Sequence, residues 1–535
     1  MTATAHVHSA PRRLDRHRRS RWAALIAAMV VALAALASLG SSASGAQAKA
    51  DPNGVVKIAS TLSPLGPLHF DPATSVVNAD LTWEEMIFGT LMRWDANGQL
   101  QPWMAESVKV VDPQTVQMTL RKGLTFTDGT PYDAQAVATG LMHTKNDANA
   151  QSASSRHAGF RFLDTVTVDS PTQLTFKLNA AGANDFLESL AHREGSIVDP
   201  KQIGTGEIDT KPIGAGPFMF DTYTPDQILS VRKNKDFFDK KHFQFGGIDY
   251  VNATGPAATN GLLAGTVDIA PLAATDVSQV KANTAYNILS GTTDYQYIIM
   301  QMCPGKPPFD NQKFRQGVQL AFDRNAIIQL AFQGQATPAT DLWPKGNVNF
   351  NPATEKINTY DPKKAKKLIA ESGVTDPTFE MHYVAQITSY GPLTEILQSQ
   401  LKAVGVNATI VPDQDILNGF ILPQKAGAQV IPGSRRNVDK YQRLYATGAQ
   451  TTLCGVARDD IYNTVLPTAG MSATDPARAA LFKKADLMAA KNANPIPLVY
   501  TVNNFGLAKA KVGGTLALNA ATGGLLLDNM TVSKS

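Results

Sequence analysis

Beyond its first fifty residues the chain holds two cysteines, Cys303 and Cys454, and six histidines: His69, His143, His157, His192, His242 and His382. These are the side chains best suited to metal binding, redox or nucleophilic chemistry, and their spacing argues against all three. None of the histidines are spaced as metal ligands, so no metal site and no cofactor is expected. There is no G-x-S-x-G, H-E-x-x-H, C-x-x-C or Walker loop, and hence no assembled nucleophile, zinc site, redox pair or phosphate cradle. Gly204-Thr-Gly206 and Gly214-Ala-Gly216 lack a third glycine and read as turns. Glu84-Glu85 and Asp459-Asp460 are neighbours in sequence, so their carboxylates point in different directions and read as solvated charge. These absences describe a binder better than an enzyme. The cysteines are even in number and can pair in an oxidising compartment. Closing so long a loop would stabilise the fold by roughly 4–5 kcal/mol in the chain-entropy model, before strain. Two separate buried thiols are the alternative.

The compartment is written at the N-terminus. Arg12, Arg13, Arg16, Arg18, Arg19 and Arg21 precede an apolar, Ala-rich run over residues 22–39, and small residues follow up to Ala48-Lys49-Ala50. That is the order of a signal peptide cleaved near Ala50. An uncleaved anchor is the rival, but the run is near the lower length limit for a span. Sec export fits better than twin-arginine export, because the Arg pairs match the latter's motif poorly. No cysteine stands at the cleavage site, so a periplasmic protein is expected rather than a lipoprotein. Without the leader the chain holds 42 basic and 44 acidic residues. The apparent basicity therefore belongs to the leader, and nucleic-acid binding gains no support.

A chain of 535 residues exceeds one ordinary core, so two or more domains are expected, and 43% apolar with 18% charged residues is globular composition. Strand-like and helix-like segments alternate without a repeat. Val116, Met118 and Leu120 alternate with polar residues, which predicts a half-buried strand. Asp128-Gly129 then supplies a turn, and Asp133 an N-cap. Residues 55–61 and 228–232 read as strands, and 165–169 with 173–178 as a hairpin-like pair. Residues 81–92 read as a helix. Asp310 is expected to cap a helix burying Phe314, Val318 and Phe322, and Asp323 the next, burying Ile327 and Ala331. Asp361-Pro362 starts another helix that Gly373 ends.

The residue strings themselves are distinctive. Residues 101–141 resemble the P-x-L-A-E-S…T-F-x-L-R-K-G-V-x-F-x-D-G-x-P-x-x-A-x-D-V block of the extracellular solute-binding proteins of family 5. These are the oligopeptide, dipeptide, nickel and opine receptors of ABC importers. LHFDPATS at 68–75 resembles the family's L-D-P-A segment, and FGTLMR at 88–93 its Y-E-x-L-v-R turn. The stretches 212–238, 307–328 and 360–373 resemble the P-v-G-T-G-P-Y, k-P-F-x-d-x-r-V-R-q-A and Y-D-p-e-K-A-k-k-L-L blocks. The blocks occur in family order over roughly 300 residues.

The resemblance implies an α/β fold of the two-lobe periplasmic-binding-protein type II, with an extra subdomain. Lobe I would take residues 51–294 and 505–535, with the subdomain at about 90–195, and lobe II residues 295–504. The crossovers would be the apolar runs 295–302 and 496–503. The implied function is an ABC-importer receptor that captures a peptide or similar small polar solute by lobe closure. It would act, as a monomer, with a permease in the inner membrane. A receptor for a metal complex or haem, or a periplasmic sensor or chaperone, is the alternative. Relatives carry a W-x-x-D-y-p-D-p segment near residues 432–445, where this chain has PGSRRNVDKYQRLY. Arg435 or Arg436 is expected to receive a ligand carboxylate, since a guanidinium fork pairs bidentately with it, and Asp439 a ligand amine. An exposed loop of unpaired charges is the alternative. Trp343 and Tyr441 would supply aromatic walls, or for Trp343 core packing. Tyr295 and Tyr297 share one face of a crossover strand, either cleft wall or core.

Overall fold

The structure, a computed structural model, describes residues 50–62, 68–75, 81–147, 157–385, 387, 389–433, 436–449, 452–472 and 475–534. The expected leader lies outside the described residues. The chain is mixed α/β around one 11-stranded sheet. At its centre two long strands, Tyr286–Met302 and Ile496–Ala508, run antiparallel. They contain both expected crossovers. Their register runs regularly from Tyr286 opposite Ala508 to Thr292 opposite Val502, then breaks and resumes at Tyr297 opposite Tyr500. Four residues on one strand thus face a single residue on the other. Such a bulge interrupts the ladder and bends the sheet locally.

On one side of the break, Val55–Ser60 pairs in parallel with Gly247–Asn252 and Ile269–Pro271. On the other, Thr378–Val384 pairs in parallel with Asn407–Asp413 and Ala428–Gly433. Each parallel group needs helical crossovers and so builds its own core. One core gathers Val56, Phe70, Trp83, Phe176 and Phe218. The others gather Met300, Phe314, Leu397 and Val499, and Tyr297, Trp343, Tyr441 and Phe482. A further antiparallel sheet, Ala105–Asp112, Thr115–Leu120, Gln173–Leu178 and Leu163–Ser170, stands apart from the main one. Its inner face is the predicted alternation, with Val116, Met118 and Leu120 essentially inaccessible.

Most caps follow the sequence. The Asp133 carboxylate accepts from Ala136 N, Asp323 from Asn325 N and Ala326 N, and Asp361 from Lys364 N. Three expectations need correction. Glu84 and Glu85, read as solvated charge, are taken out of water instead, because the helix that carries them packs into the core through Trp83, Met86 and Ile87. The helix Gln312–Gln319 is capped by Asn311, whose side chain accepts from Phe314 N, and not by Asp310. The helix Leu81–Phe88 stops earlier than predicted, because Gly89 takes a positive φ of 65° and turns the chain. Cys303 and Cys454 form a disulfide with Cα atoms 5.3 Å apart. It ties the end of the strand Tyr286–Met302 to the 3-10 turn Leu453–Gly455.

Candidate functional site

The segment singled out for ligand contact follows the strand Ala428–Gly433. Gly433 lets the Tyr297 ring lie directly on the backbone, since a Cβ there would come within 2.0 Å of that ring. Arg435 lies outside the described residues, and so does the side chain of Tyr295. Arg436 is extended and precedes the helix Asn437–Tyr445. Asn437 adopts a positive φ of 44°, which asparagine tolerates better than most residues. Asp439, in the first turn, suits the positive end of the helix dipole.

This helix serves two neighbourhoods. Val438 packs into the core around Trp83 and Phe176. Asn437 Nδ2 donates to Glu188 Oε1 on the helix Ala183–Ser189, and Asn184 Nδ2 of that helix donates to Gly470 O at 3.2 Å. The two sides of the bent sheet therefore meet here as well as along the strands that join them in sequence. The Arg436 guanidinium stacks on Trp94 at 4.4 Å from the ring centroid. Among the described residues, no group hydrogen-bonds its Nε or Nη1. Asp185 is fully buried and neither carboxyl oxygen has a hydrogen-bond partner among the described residues. Burial, reinforced by Glu188, holds its pKa well above the carboxylate range, and Arg478 opposes this. Arg478 is itself buried, stacks on Phe482 at 5.1 Å and has no described hydrogen-bond partner at Nε. Glu188 Oε2 is likewise buried without one.

The other expected aromatics are occupied. Trp343 Nε1 donates to Tyr441 Oη at 2.9 Å, and Tyr441 Oη donates to Asp486 Oδ1 at 2.7 Å. Burial and the neighbouring Asp341 carboxylate push the Asp486 pKa well up. Asp341 accepts from Trp343 N and Thr354 Oγ1 at 2.9 and 2.8 Å. Lys440 lies over the Trp343 and Tyr297 rings and donates to Leu342 O. Tyr297 packs edge-on against Tyr500. Trp343, Tyr441 and Tyr297 are all core side chains, at most 2% exposed.

The structure thus brings Arg436 and Asp439 together with four residues that sequence reasoning did not single out: Trp94, Asp185, Glu188 and Arg478. Only the two acids left a trace in the sequence. Asp185 and Glu188 are three apart in a helix and share a face. Chemically, the junction offers guanidinium donors and carboxyl groups that are desolvated and incompletely bonded, an arrangement able to hold a molecule with charges of both signs. Among the described residues no three His, Cys, Asp or Glu side chains could hold a metal ion.

Comparison with known proteins follows the same line. The family model described as bacterial extracellular solute-binding proteins, family 5 Middle, matches residues 99–421. The glutathione-binding protein GsiB of Escherichia coli (strain K12) is 26% identical over 372 residues, covering 66% of this chain and 68% of that protein. The dipeptide-binding protein of Pseudoalteromonas sp. SM9913, solved with Met-Leu, superposes with a TM-score of 0.78 at 19% identity, covering 90% of this chain and 100% of that one. AgaA of Agrobacterium tumefaciens R10, solved with agropinic acid, gives 0.78 at 20% identity, with 90% and 99% covered. The fold is that of the two-lobe periplasmic binding proteins of type II.

Proposed function

The chain belongs to family 5 of the bacterial extracellular solute-binding proteins, and from that premise we propose that it captures a small peptide or peptide-like solute between its lobes and presents it to an ABC permease. The observation that carries the reading is the junction itself: Arg436, Arg478, Asp185 and Glu188 are desolvated there without full hydrogen bonding. Burying such groups unpaired is unfavourable, so a ligand that bonds them stabilises the closed arrangement over an open one. Arg436 receives the ligand carboxylate. Asp185, Glu188 and Asp439 form the acidic side that receives the amine. An incoming ammonium offsets the burial, and the repulsion from Glu188, that raise the Asp185 pKa. The likeness to proteins named for glutathione or solved with Met-Leu supports a peptide-like solute.

In this reading the lobes are residues 51–294 with 505–535, and 295–504. The register break between Thr292 and Tyr297 is the hinge. A subdomain at about 90–195 carries Trp94, Asp185 and Glu188. The first fifty residues are removed on export, and the mature protein is a periplasmic monomer without a lipid anchor.

The test is calorimetric titration with Met-Leu, its N-acetylated form and its C-terminal amide. The expected result is binding of the free dipeptide and loss of affinity when either terminus is masked, with Arg436→Ala insensitive to amidation. Equal binding of all three, or of none, overturns the reading.

A further inference from the structure

A cavity lies within the half of the molecule built on Val55–Ser60, and none of Trp94, Asp185 or Arg436 lines it. Its volume is about 280 Å³. Ile58 and Tyr250, paired on adjacent strands, form one side. Met86 comes from the helix Leu81–Phe88, Phe505 from the strand Ile496–Ala508, and Leu525 and Leu527 from the C-terminal segment. Into these apolar surroundings the helix projects one carboxyl group, Glu85, the only carboxylate on the described lining. The proposed peptide site needs neither the cavity nor this acid.

The electrostatics around Glu85 are lopsided. Arg93 is tied to Asp528 by an ion pair of 2.7 Å, and both act on Glu85. An ionised Glu85 would leave two carboxylates facing one guanidinium. Tyr250, the other ionisable group on the lining, is held neutral by burial. The group that completes this set is a cation, and the walls require that it be carried on hydrocarbon. The volume lies just below the usual range for small-molecule pockets, about 300–1,000 Å³, which suits a compact molecule rather than a peptide chain.

We propose that this cavity binds a small primary amine with an apolar body, its ammonium paired with Glu85 and its hydrocarbon against Ile58, Met86 and Phe505. Burial, with Asp528 adding to it, pushes the Glu85 pKa up to about 8, so near neutrality the empty cavity holds a protonated acid. The amine, with a pKa near that of lysine at about 10.4, enters as its ammonium form and displaces that proton to solvent. Affinity therefore rises with pH until Glu85 is ionised without the ligand, then levels. A ligand with a neutral hydroxyl or carbonyl in the same place would favour the protonated acid and show the opposite trend.

The test is calorimetry on the full exported chain with 2-phenylethylamine, and 2-phenylethanol as the uncharged isostere, in buffers of different ionisation enthalpy near pH 6, 7 and 8. The expected result is amine binding with proton release near pH 7 that fades towards about pH 8, and at least about tenfold weaker binding in Glu85→Gln and in the cavity-filling Leu525→Trp. No amine binding, equal binding of 2-phenylethanol, proton uptake, or amine binding that survives both substitutions overturns the proposal. Thermal unfolding of both variants, read against the wild type, separates a lost site from a lost fold.

Discussion

Two clusters of buried aromatic and charged side chains share the helix Asn437–Tyr445, and they are opposites. Around Tyr441 most of the hydrogen-bonding capacity is matched: Trp343 donates to Tyr441, Tyr441 to Asp486, and Thr354 and the Trp343 amide to Asp341, leaving Asp486 Oδ2 and the neighbouring Tyr445 Oη without described partners. Around Arg436 it is not: guanidinium nitrogens and carboxyl oxygens are desolvated without described partners. Residue type does not separate the two, since both contain Trp and Asp beside a cation. Completeness does. A satisfied polar network specifies a unique packing, whereas an incomplete one keeps interaction energy in reserve for something that arrives later.

The largest test of this contrast is Trp343→Ala. Removing a large core aromatic should lower unfolding free energy by about 3–5 kcal/mol, measured by denaturant titration, with solute affinity changed far less in the protein that remains folded. Glu85→Gln comes next. The wild-type group has its folded pKa raised from 4.5 to about 8, so the native state retains a proton that the unfolded state loses. Stability must therefore fall as pH rises through that window, by about 3 kcal/mol up to pH 7. Glu85→Gln should flatten that slope in pH-dependent melting. Arg436→Ala should weaken Met-Leu binding by about 1.5–3 kcal/mol, the worth of a charged hydrogen bond, while the melting temperature of the empty protein barely moves. A large stability loss would place Arg436 with the satisfied network instead.

The smallest effect is directional. Asp185 has a folded pKa above its ordinary value, so ionising it opposes folding at neutral pH. Asp185→Asn should make the empty protein more stable near pH 7 and less pH-dependent, yet weaken peptide capture. Destabilisation would mean that Asp185 is a structural acid.

The fold was largely legible because its signals are local. Period-two alternation at Val116–Leu120, the Asp133, Asp323 and Asp361 caps and the Asp128-Gly129 turn all act within a few residues. The errors were local as well. Asn311 caps a helix as well as its neighbour Asp310 would, and short-range preference cannot choose between adjacent candidates. At the candidate site, Arg436 and Asp439 were singled out because a family segment was replaced there by charges. Trp94 and Arg478 were not, because they come from elements hundreds of residues apart.

By itself, the sequence determined the family, the α/β architecture and the caps at Asp133, Asp323 and Asp361, since each rests on residues close along the chain or on strings that occur in a fixed order. Only the tertiary structure decided which of the expected aromatics were core, that Cys303 meets Cys454, and that Glu188 bonds Asn437 while Asp185 lies under the influence of Arg478 and Asp439. The physical reason is that desolvation and hydrogen-bond completeness belong to the surroundings of a side chain, and those surroundings exist only after distant segments have packed together.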